Sequence, residues 1–324
     1  MITTIYNAHR DDIHGLVGVR EDQFISGSKD GTVKLWSIGG KLVKLLQEDN
    51  IDYKKWVTSI AVSYNSKKYI SGHRNGYVQI SKIDENCKER YWKMSSDAIV
   101  NCKERNENRI TALTTIENNN FYVGMRGGFF LMNGKNYKTI LTTKTSERDW
   151  VYCILPISFN SIGVVTGTEL EILQDARPKR SGWEKTAIII SEKFNNKSNQ
   201  RPFISDIKMI GGNNHIVASL FDSTSRVIDL VKKEEIFRTS EHSGRVWQVL
   251  PIDKSSYFTC ADDGTIKSFD IRVNKNSLKT LDNHPGRVSS LHHNSHVLVA
   301  GSCPDKPNDK NGAGQLFFYD MRKI

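Results

Sequence analysis

Three polar side chains near the start of the chain have the chemistry of a hydrolase active site. His9, Ser26 and Asp30 could act as base, nucleophile and orienting acid. A similar trio occurs near the other end of the chain, at His242, Thr259 and Asp263. Such a set also requires an exposed nucleophile and an oxyanion site, and the sequence contains no G-x-S-x-G. A catalytic function is therefore disfavoured, and we expect no enzyme.

Metal and cofactor chemistry has little support in the sequence. There is no H-E-x-x-H and no EF-hand loop, and the five cysteines, at 87, 102, 153, 260 and 303, form no C-x-x-C pair. His292, His293 and His296 lie close together, but no cysteine or carboxylate stands at ligand spacing. We predict no metal and no cofactor. Unpaired cysteines favour a reducing compartment, the cytoplasm with the nucleus as the alternative.

A pair of apolar residues recurs along the chain at intervals of 41 to 53 residues. Each pair is a β-branched anchor followed three positions later by an aliphatic residue. The pairs are Ile13 and Leu16, Val57 and Ile60, Ile110 and Leu113, Val151 and Ile154, Ile204 and Ile207, Val246 and Val249, and Val288 and Leu291. Positions i and i+3 of a strand point to opposite faces, so these strands should be buried on both sides. The pattern predicts seven inner strands stacked between neighbouring sheets.

A strand, a tight turn and another strand follow several of these anchors. The Asp30-Gly31 and Asp263-Gly264 pairs, each flanked by β-forming residues, are strong hairpin signals. The segments 24–36, 70–80 and 258–270 align without gaps, and His9, His242 and His284 each stand four positions before an anchor. These motifs resemble the WD-repeat family over essentially the whole chain, and the first and sixth repeats are the clear matches. The resemblance implies an all-β fold, a single seven-bladed β-propeller.

The resemblance also implies a structural role for the polar set. In the family, a His, a Ser or Thr, an Asp and a Trp form a buried hydrogen-bonded tetrad, which corresponds here to His9, Ser26, Asp30 and Trp36. The Asp must orient a neutral imidazole so that every buried polar group has a partner. The sixth repeat has Phe269 in place of the Trp and should lack the indole donor.

The ends of the chain should complete the last sheet. Residues 2–6 mirror the outer strand of the sixth repeat, so we expect them to supply the strand that the seventh repeat lacks, closing its open edge. The prediction is one domain over residues 1–324, with insertions at 84–108 and 175–201 where the spacing between anchors reaches 53. No apolar run approaches the roughly 20 residues of a membrane span.

Basic and aromatic residues cluster at two register positions, directly beside the anchors and directly before the tight turns. Both positions should lie at the same end of each sheet. The residues are Trp56, Arg109, Trp150, Tyr152, Phe203, Arg245, Trp247, Arg287, Lys29, Arg74 and Arg126, with Asp12 and Asp262 as acidic exceptions. Arg, Trp and Tyr dominate binding hot spots. The pattern predicts a scaffold or adaptor that docks another protein through an acidic or phosphorylated segment.

Two other functions fit parts of the sequence. Arginines beside aromatics can also clamp phosphates and stack bases, and the formal net charge of +10 makes nucleic acid an alternative partner. The segments 269–272 and 319–322 are similar to the W-D-x-R ending of WD-repeat receptors that dock onto a cullin ubiquitin-ligase adaptor, with Phe and Tyr in place of Trp. Local pairing of the Asp with the Arg is the simpler explanation of those two segments.

Overall fold

The structure is a computed structural model, and it describes most of the chain. The described residues are 2–48, 56–84, 90–93, 108–145, 150–175, 183–191, 203–212, 214–273, 276–282, 284–303 and 313–324. They divide into two compact units. The first unit comprises residues 1–151 and 290–324, and the second unit comprises residues 152–289. The expected single domain over 1–324 stays a prediction.

Nearly all regular structure among the described residues is β. The strands in chain order are β1 (Thr3–His9), β2 (Ile13–Arg20), β3 (Gln23–Ser28), β4 (Val33–Ser37), β5 (Leu42–Gln47), β6 (Val57–Val62), β7 (Lys68–His73), β8 (Tyr77–Lys82), β9 (Arg90–Lys93), β10 (Ala112–Thr115), β11 (Phe121–Met125), β12 (Gly128–Met132), β13 (Thr139–Lys144), β14 (Val151–Ser158), β15 (Ser161–Thr166), β16 (Glu169–Asp175), β17 (Trp183–Ser191), β18 (Ile204–Ile210), β19 (His215–Leu220), β20 (Ser225–Asp229), β21 (Glu234–Thr239), β22 (Val246–Pro251), β23 (Ser256–Ala261), β24 (Ile266–Asp270), β25 (Lys279–Leu281), β26 (Val288–His293), β27 (Val297–Ser302) and β28 (Gly314–Asp320). Two 3-10 turns, Glu117–Asn119 and Met321–Lys323, complete the list. Among the residues described, there is no helix with the length and apolarity that a membrane crossing requires.

The strands pair into seven four-stranded antiparallel sheets within the described residues. In the first unit, three sheets follow chain order, β2 to β5, β6 to β9 and β10 to β13. In the second unit, the sheets are β14 to β17, β18 to β21 and β22 to β25. The predicted anchors begin the innermost strands, except that β10 begins two residues after Ile110.

The remaining sheet joins the two ends of the chain, in the order β1-β28-β27-β26. Strand β1 pairs antiparallel with β28, with Thr3 opposite Phe318 and Ile5 opposite Leu316. The N-terminal strand therefore closes the last sheet, as the sequence predicts. Its pairing covers backbone groups of β28 that would otherwise form an open sheet edge.

Glycines explain why the anchors of the first unit are β-branched. A Cβ atom added at Gly27, Gly72, Gly124 or Gly301 would lie within 3.0 Å of the anchor of the following sheet, which is Val57, Ile110, Val151 or Ile13. The branched methyl of each anchor therefore occupies the space left by a missing side chain. This repeated fit lets the backbone of one sheet approach the anchor of the next closely, without a gap between them.

Hydroxyl groups add a second, polar connection between neighbouring sheets. In the first unit, Thr58 and Thr111, each directly after an anchor position, donate through Oγ1 to the carbonyls of Ile110 and Val151 over 2.5 Å. In the second unit, Ser205 Oγ donates to the carbonyl of Val246 over 2.6 Å. Each bond satisfies a backbone acceptor of the adjacent inner strand.

The two segments predicted as insertions each contain a strand. Strand β9 lies within 84–108 and pairs with β8, and β17 lies within 175–201 and pairs with β16. Each of these strands is the fourth strand of its sheet. Most of the other residues in both segments lie outside the described residues.

Candidate functional site

The polar set near the start of the chain forms one continuous hydrogen-bonded chain. Trp36 Nε1 donates to Ser26 Oγ over 2.7 Å, and Ser26 Oγ lies 2.6 Å from His9 Nε2. His9 Nδ1 lies 3.1 Å from Asp30 Oδ2, and Thr32 donates to Asp30 Oδ1 through both its amide and its hydroxyl. With the imidazole proton on Nδ1 facing Asp30, Nε2 accepts from the Ser26 hydroxyl.

Burial and these bonds set the charges of the tetrad. Burial lowers the pKa of His9 below its usual 6.5, more than the neighbouring Asp30 raises it. Burial alone would raise the pKa of Asp30, but the hydrogen bonds from His9 and Thr32 lower it below 3.8. The imidazole is therefore neutral and the carboxylate charged near neutral pH.

This arrangement does not offer a nucleophile. Ser26 is fully buried, and its Oγ contacts both His9 Nε2 and the indole nitrogen of Trp36. A catalytic serine must instead be exposed to its substrate beside oxyanion donors. The tetrad connects β1, β3, β4 and the turn between β3 and β4, which is a structural role.

The sixth repeat keeps the set without the indole. His242 Nε2 lies 2.7 Å from Thr259 Oγ1, and His242 Nδ1 lies 2.9 Å from Asp263 Oδ2. Phe269 occupies the Trp position, is fully buried, and stacks on Tyr257 with a centroid distance of 5.5 Å. An aromatic contact replaces the donor there.

The second and fifth repeats lack a histidine four positions before the anchor. Other residues there form hydrogen bonds with the counterparts of Ser26 and Asp30. In the second, Ser71 Oγ donates to Gln47 Oε1 over 3.1 Å, and Gln47 Nε2 donates to the carbonyl of Gly31. In the fifth, the buried Arg226 donates to Asp222, the counterpart of Asp30, over 2.6 Å. Sequence analysis missed both substitutes, because neither has the type or the spacing of the histidine.

The residues directly before the anchors and directly before the tight turns, which are predicted to bind a partner, lie at the same end of several sheets. The amide of the residue before each turn donates to the carbonyl of the residue before the anchor. This bond joins Lys29 to Asp12 and Arg74 to Trp56 in the first unit, and Phe221 to Phe203 and Asp262 to Arg245 in the second.

In the first unit, two cations stack on one indole. The Arg74 guanidinium lies 4.3 Å and the Lys29 ammonium 4.5 Å from the ring centre of Trp56. Lys29 also lies 3.5 Å from Asp11 and 3.8 Å from Asp12, so these carboxylates partly compensate its charge. Arg74 forms no ion pair with a carboxylate among the described residues. We call Lys29, Trp56 and Arg74 the first basic-aromatic cluster.

In the second unit, four aromatic rings form a continuous row. Tyr152 lies 6.2 Å from Phe203, Phe203 lies 6.4 Å from Phe221, and Phe221 lies 4.9 Å edge-on from Trp247. The Arg245 guanidinium stands 5.5 Å from Phe221, and that of Arg287 stands 5.5 Å from Trp247. These six residues are the second basic-aromatic cluster.

The row revises two details of the sequence prediction. The Arg287 guanidinium lies over the indole of Trp247, which donates to Asp262 Oδ1 over 2.6 Å. Asp262 thus positions an aromatic ring. Phe221 was missed, although it stands at the register position of Lys29 and Arg74 before the tight turn, where the alignment of repeats could have found it.

The other predicted partner-binding residues lie in the first unit. Arg126 and Trp150 form an isolated antiparallel bridge and are both half-buried. Arg109 is exposed.

The structure describes all three histidines near the end of the chain. No group of three or more His, Cys, Asp or Glu side chains in the described part of the chain could hold a metal ion. His292 packs against Phe24, with ring centres 6.1 Å apart, and burial lowers its pKa to about 4. It acts as a packing residue of the first unit.

Both D-x-R segments pair locally. Arg272 donates to Asp270 through Nε and Nη2, over 3.0 and 2.6 Å, and Arg322 donates to Asp320 over 2.9 and 2.8 Å. The hydrogen bond from each Arg lowers the pKa of its Asp to about 2. Each pair caps the strand that it ends.

Comparisons with known proteins agree with this architecture. The profile of the family described as WD domain, G-beta repeat matches residues 2–37 and 233–270. The crystal structure of the WD40 β-propeller domain of Doa1 superposes over 100% of this chain and 97% of that chain, with a TM-score of 0.75 and 12% sequence identity. THO complex subunit 6 of Drosophila melanogaster is 26% identical over 89 residues, and the match spans 25% of each protein.

The two profile matches contain the two histidine-based polar sets described above, and the superposition extends the same fold over the whole chain. The fold is a seven-bladed β-propeller, and within it residues 2–37 and 233–270 match the WD-repeat family.

Proposed function

We propose that this protein is a non-enzymatic scaffold or adaptor that docks an acidic or phosphorylated protein segment on its basic-aromatic clusters. WD-repeat propellers generally mediate interactions between proteins, and the partial relative named above is itself a subunit of a complex. The expected location, the cytoplasm or the nucleus, is part of the same proposal.

One observation carries the proposal. Arg74 and Arg245 each stack on an aromatic ring, at 4.3 and 5.5 Å, and neither forms an ion pair with a carboxylate among the described residues. A stacked guanidinium keeps its donor edge available for a carboxylate or phosphate, which it can bind with two parallel hydrogen bonds. Stacking also reduces the side-chain entropy that is lost when the anion binds.

The aromatic rings favour a peptide over a nucleic acid. Base stacking requires an open aromatic face. Trp56 already has two cations within 4.5 Å of its ring centre, while Phe221 and Trp247 contact each other and an arginine each. These rings therefore support the arginines rather than stack on bases.

The test compares peptide binding by wild type and by the double variant Arg245→Ala with Arg287→Ala. An array of acidic peptides, with and without phosphoserine, identifies a binding sequence, which is then titrated by calorimetry. We expect the double variant to bind at least about tenfold more weakly, since charge-assisted contacts contribute roughly 1.5 to 3 kcal/mol each. Lys at both positions should recover only part of the affinity, because the planar fork is lost.

A matched control removes two arginines elsewhere in the second unit. Arg238→Ala with Arg272→Ala causes the same change in net charge at residues that pair with Glu235 and Asp270. This control should bind like wild type. Equal affinities for wild type and for the Arg245 and Arg287 variant would exclude the second basic-aromatic cluster as the docking site.

A further inference from the structure

The aromatic row of the second basic-aromatic cluster has arginines at one end only. The Arg245 guanidinium stands 5.5 Å from Phe221, and that of Arg287 stands 5.5 Å from Trp247. The row continues beyond Phe221 to Phe203, whose ring centre lies 6.4 Å away. Among the described residues, no cation stands over the ring of Phe203. The cluster therefore has a cationic end and an apolar end.

Three residues of the cluster occupy equivalent positions of consecutive repeats. Phe203, Arg245 and Arg287 each stand directly before the anchor of a repeat. A peptide segment that crosses this line meets one apolar side chain and then two guanidinium groups. An anion is disfavoured over Phe203, because contact with the ring removes water from the charge and supplies no hydrogen-bond donor.

The ring of Phe203 has a fixed position. The backbone of Gly167, in the turn between β15 and β16, lies beside the ring, so that an added Cβ atom would be 3.5 Å from Phe203 Cε1. The amide of Ile204 donates to the carbonyl of Gly167 over 3.0 Å and holds the adjacent backbone. The ring is half-buried, so part of its surface is accessible. An apolar side chain that binds there pays little entropy for ordering the ring.

The spacing of the rings matches an extended peptide. The ring centres of Phe221 and Phe203 are 6.4 Å apart, and those of Phe203 and Tyr152 are 6.2 Å apart. Alternate residues of an extended chain point to the same side and repeat at about 6.4 to 6.8 Å. One step along the row therefore corresponds to two residues of a bound segment.

We infer that the docked segment is extended and carries an apolar side chain two residues from its acidic or phosphorylated residue. The anion lies at Arg245 and Arg287, and the apolar side chain lies on Phe203. A second apolar side chain, four residues from the anion, reaches Tyr152. This inference rests on the proposed function, which places the anion, and it adds the conformation and the side-chain pattern of the partner segment.

The test uses peptides of one composition that differ only in register. Each peptide contains one phosphoserine and two leucines among glycines and serines. In the in-register peptide the leucines stand two and four residues after the phosphoserine, and in the shifted peptide they stand one and three residues after it. A second pair places the leucines before the phosphoserine, because the ring spacing does not set the chain direction. A shift of one residue turns every extended side chain to the opposite face.

Calorimetric titration measures the four affinities. In one chain direction, the in-register peptide should bind wild type about tenfold more tightly than the shifted peptide, which corresponds to about 1.4 kcal/mol. Phe203→Ala should remove this preference, and Phe203→Leu should keep most of it because an apolar surface remains. The affinity for the shifted peptide should be the same in wild type and in both variants.

Phe203→Arg gives a reciprocal readout. This change extends the line of arginines by one position. A peptide with glutamate in place of the leucine two residues from the phosphoserine should then bind more tightly than the in-register peptide with two leucines. Wild type should show the opposite order. A disturbed fold would weaken all peptides alike, so an exchange of preference requires the side chain at position 203 to contact the ligand.

The matched control is Phe159→Ala. Phe159 belongs to the same unit, is fully exposed in the turn between β14 and β15, and lies outside the cluster. This variant loses the same aromatic side chain as Phe203→Ala. It should bind every peptide like wild type.

Failure of the inference and failure of the proposed function give different results. Equal binding of in-register and shifted peptides in both chain directions, with binding still weakened by Arg245→Ala and Arg287→Ala, would overturn the apolar subsite and leave the docking function in place. A preference that persists in Phe203→Ala would also overturn the subsite. If no peptide binds wild type at about 1 mM, both the inference and the proposed function are wrong.

Discussion

At the scale of single residues, the repeats keep the same buried positions satisfied with different side chains. His9, Gln47 and Arg226 belong to three different repeats, and each bonds a hydroxyl or carboxylate near the tight turn. A buried polar group without a partner costs about 1 to 3 kcal/mol, so the requirement is for a donor or acceptor in place rather than for one residue type.

The indole of Trp36 gives the first residue-scale prediction. Trp36→Phe removes the donor to Ser26 Oγ, which lies 2.7 Å from Nε1, and should destabilise the protein by roughly 1 to 3 kcal/mol. Denaturant unfolding measures this change. Peptide binding at the clusters should be unaffected, so a variant that unfolds like wild type yet no longer binds peptide would contradict the structural role.

Acidification gives the second residue-scale prediction. Burial lowers the pKa of His9 below 6.5, so the unfolded chain binds a proton there before the folded chain does. The free energy of unfolding should therefore fall as the pH drops below about 6.5. The carboxylates of Asp30 and Asp263, whose pKa values are lowered from 3.8, add a further loss as the pH falls below about 4.

The measurement is urea unfolding between pH 8 and pH 4, combined with NMR titration of the imidazoles. His284 and His292 act in the same direction as His9, since burial lowers the pKa of both. His292 should titrate near pH 4 in the folded protein. A stability that stays flat or rises from pH 7 to pH 5 would show that these histidines are not buried as described.

At the scale of elements, a glycine lies under the anchor of the following sheet at four positions of the first unit, and a threonine hydroxyl adds a donor at two of these contacts. A larger residue at Gly27 or Gly124 would meet the methyl groups of Val57 or Val151 at 2.8 Å. Such contacts leave no room for a side chain at the glycine position. A larger residue there would fit only if the two sheets moved apart or a smaller residue replaced the anchor. The register of an inner strand is thus set by the sheet beside it.

Strand β1 gives the element-scale prediction. Deleting residues 2–6 removes the pairing of Thr3, Thr4 and Ile5 with β28 and exposes a new sheet edge. We expect a lower melting temperature and concentration-dependent association. Tyr6→Ser, which changes a side chain that is 70% exposed, serves as the control and should behave like wild type. A truncated protein that is monomeric with an unchanged melting midpoint would exclude the closing role of β1.

At the scale of the whole molecule, the formal net charge of +10 predicts non-specific attraction to polyanions. Attraction of this kind depends on the total charge and not on one cluster. It must therefore be separated from specific docking before any partner is assigned.

A single-stranded RNA probe makes the separation at this scale. We expect weak binding that decreases steeply with salt, and equal weakening by the Arg245 and Arg287 double variant and by the Arg238 and Arg272 control. Fluorescence anisotropy at two or more salt concentrations measures both effects. A loss confined to the Arg245 and Arg287 variant would favour the nucleic-acid function over the docking of a protein segment.

Local signals in the sequence were sufficient to predict the architecture. The period of the anchors, the Asp-Gly turns and the likeness of residues 2–6 to an outer strand predict seven repeats and the closure of the last sheet. Each of these signals depends only on residues that are close together in the sequence. In the two Asp-Gly turns, for example, Gly31 and Gly264 adopt positive φ angles of 85° and 73°, which a tight turn requires. The outer strands β9 and β17 escaped prediction because pairing with the adjacent strand, not a turn motif, defines them.

Tertiary structure decided which side chains meet. The sequence could place Arg287 and Trp247 at equivalent ends of consecutive repeats, but only the stacking of sheets brings the guanidinium 5.5 Å from the indole. The same holds for Lys29, one of the residues predicted to bind a partner, because only the folded chain shows that Asp11 and Asp12 partly neutralise it. Contacts across sheets depend on the angle and offset between whole elements, and these follow from the packing of the entire core rather than from any local pattern.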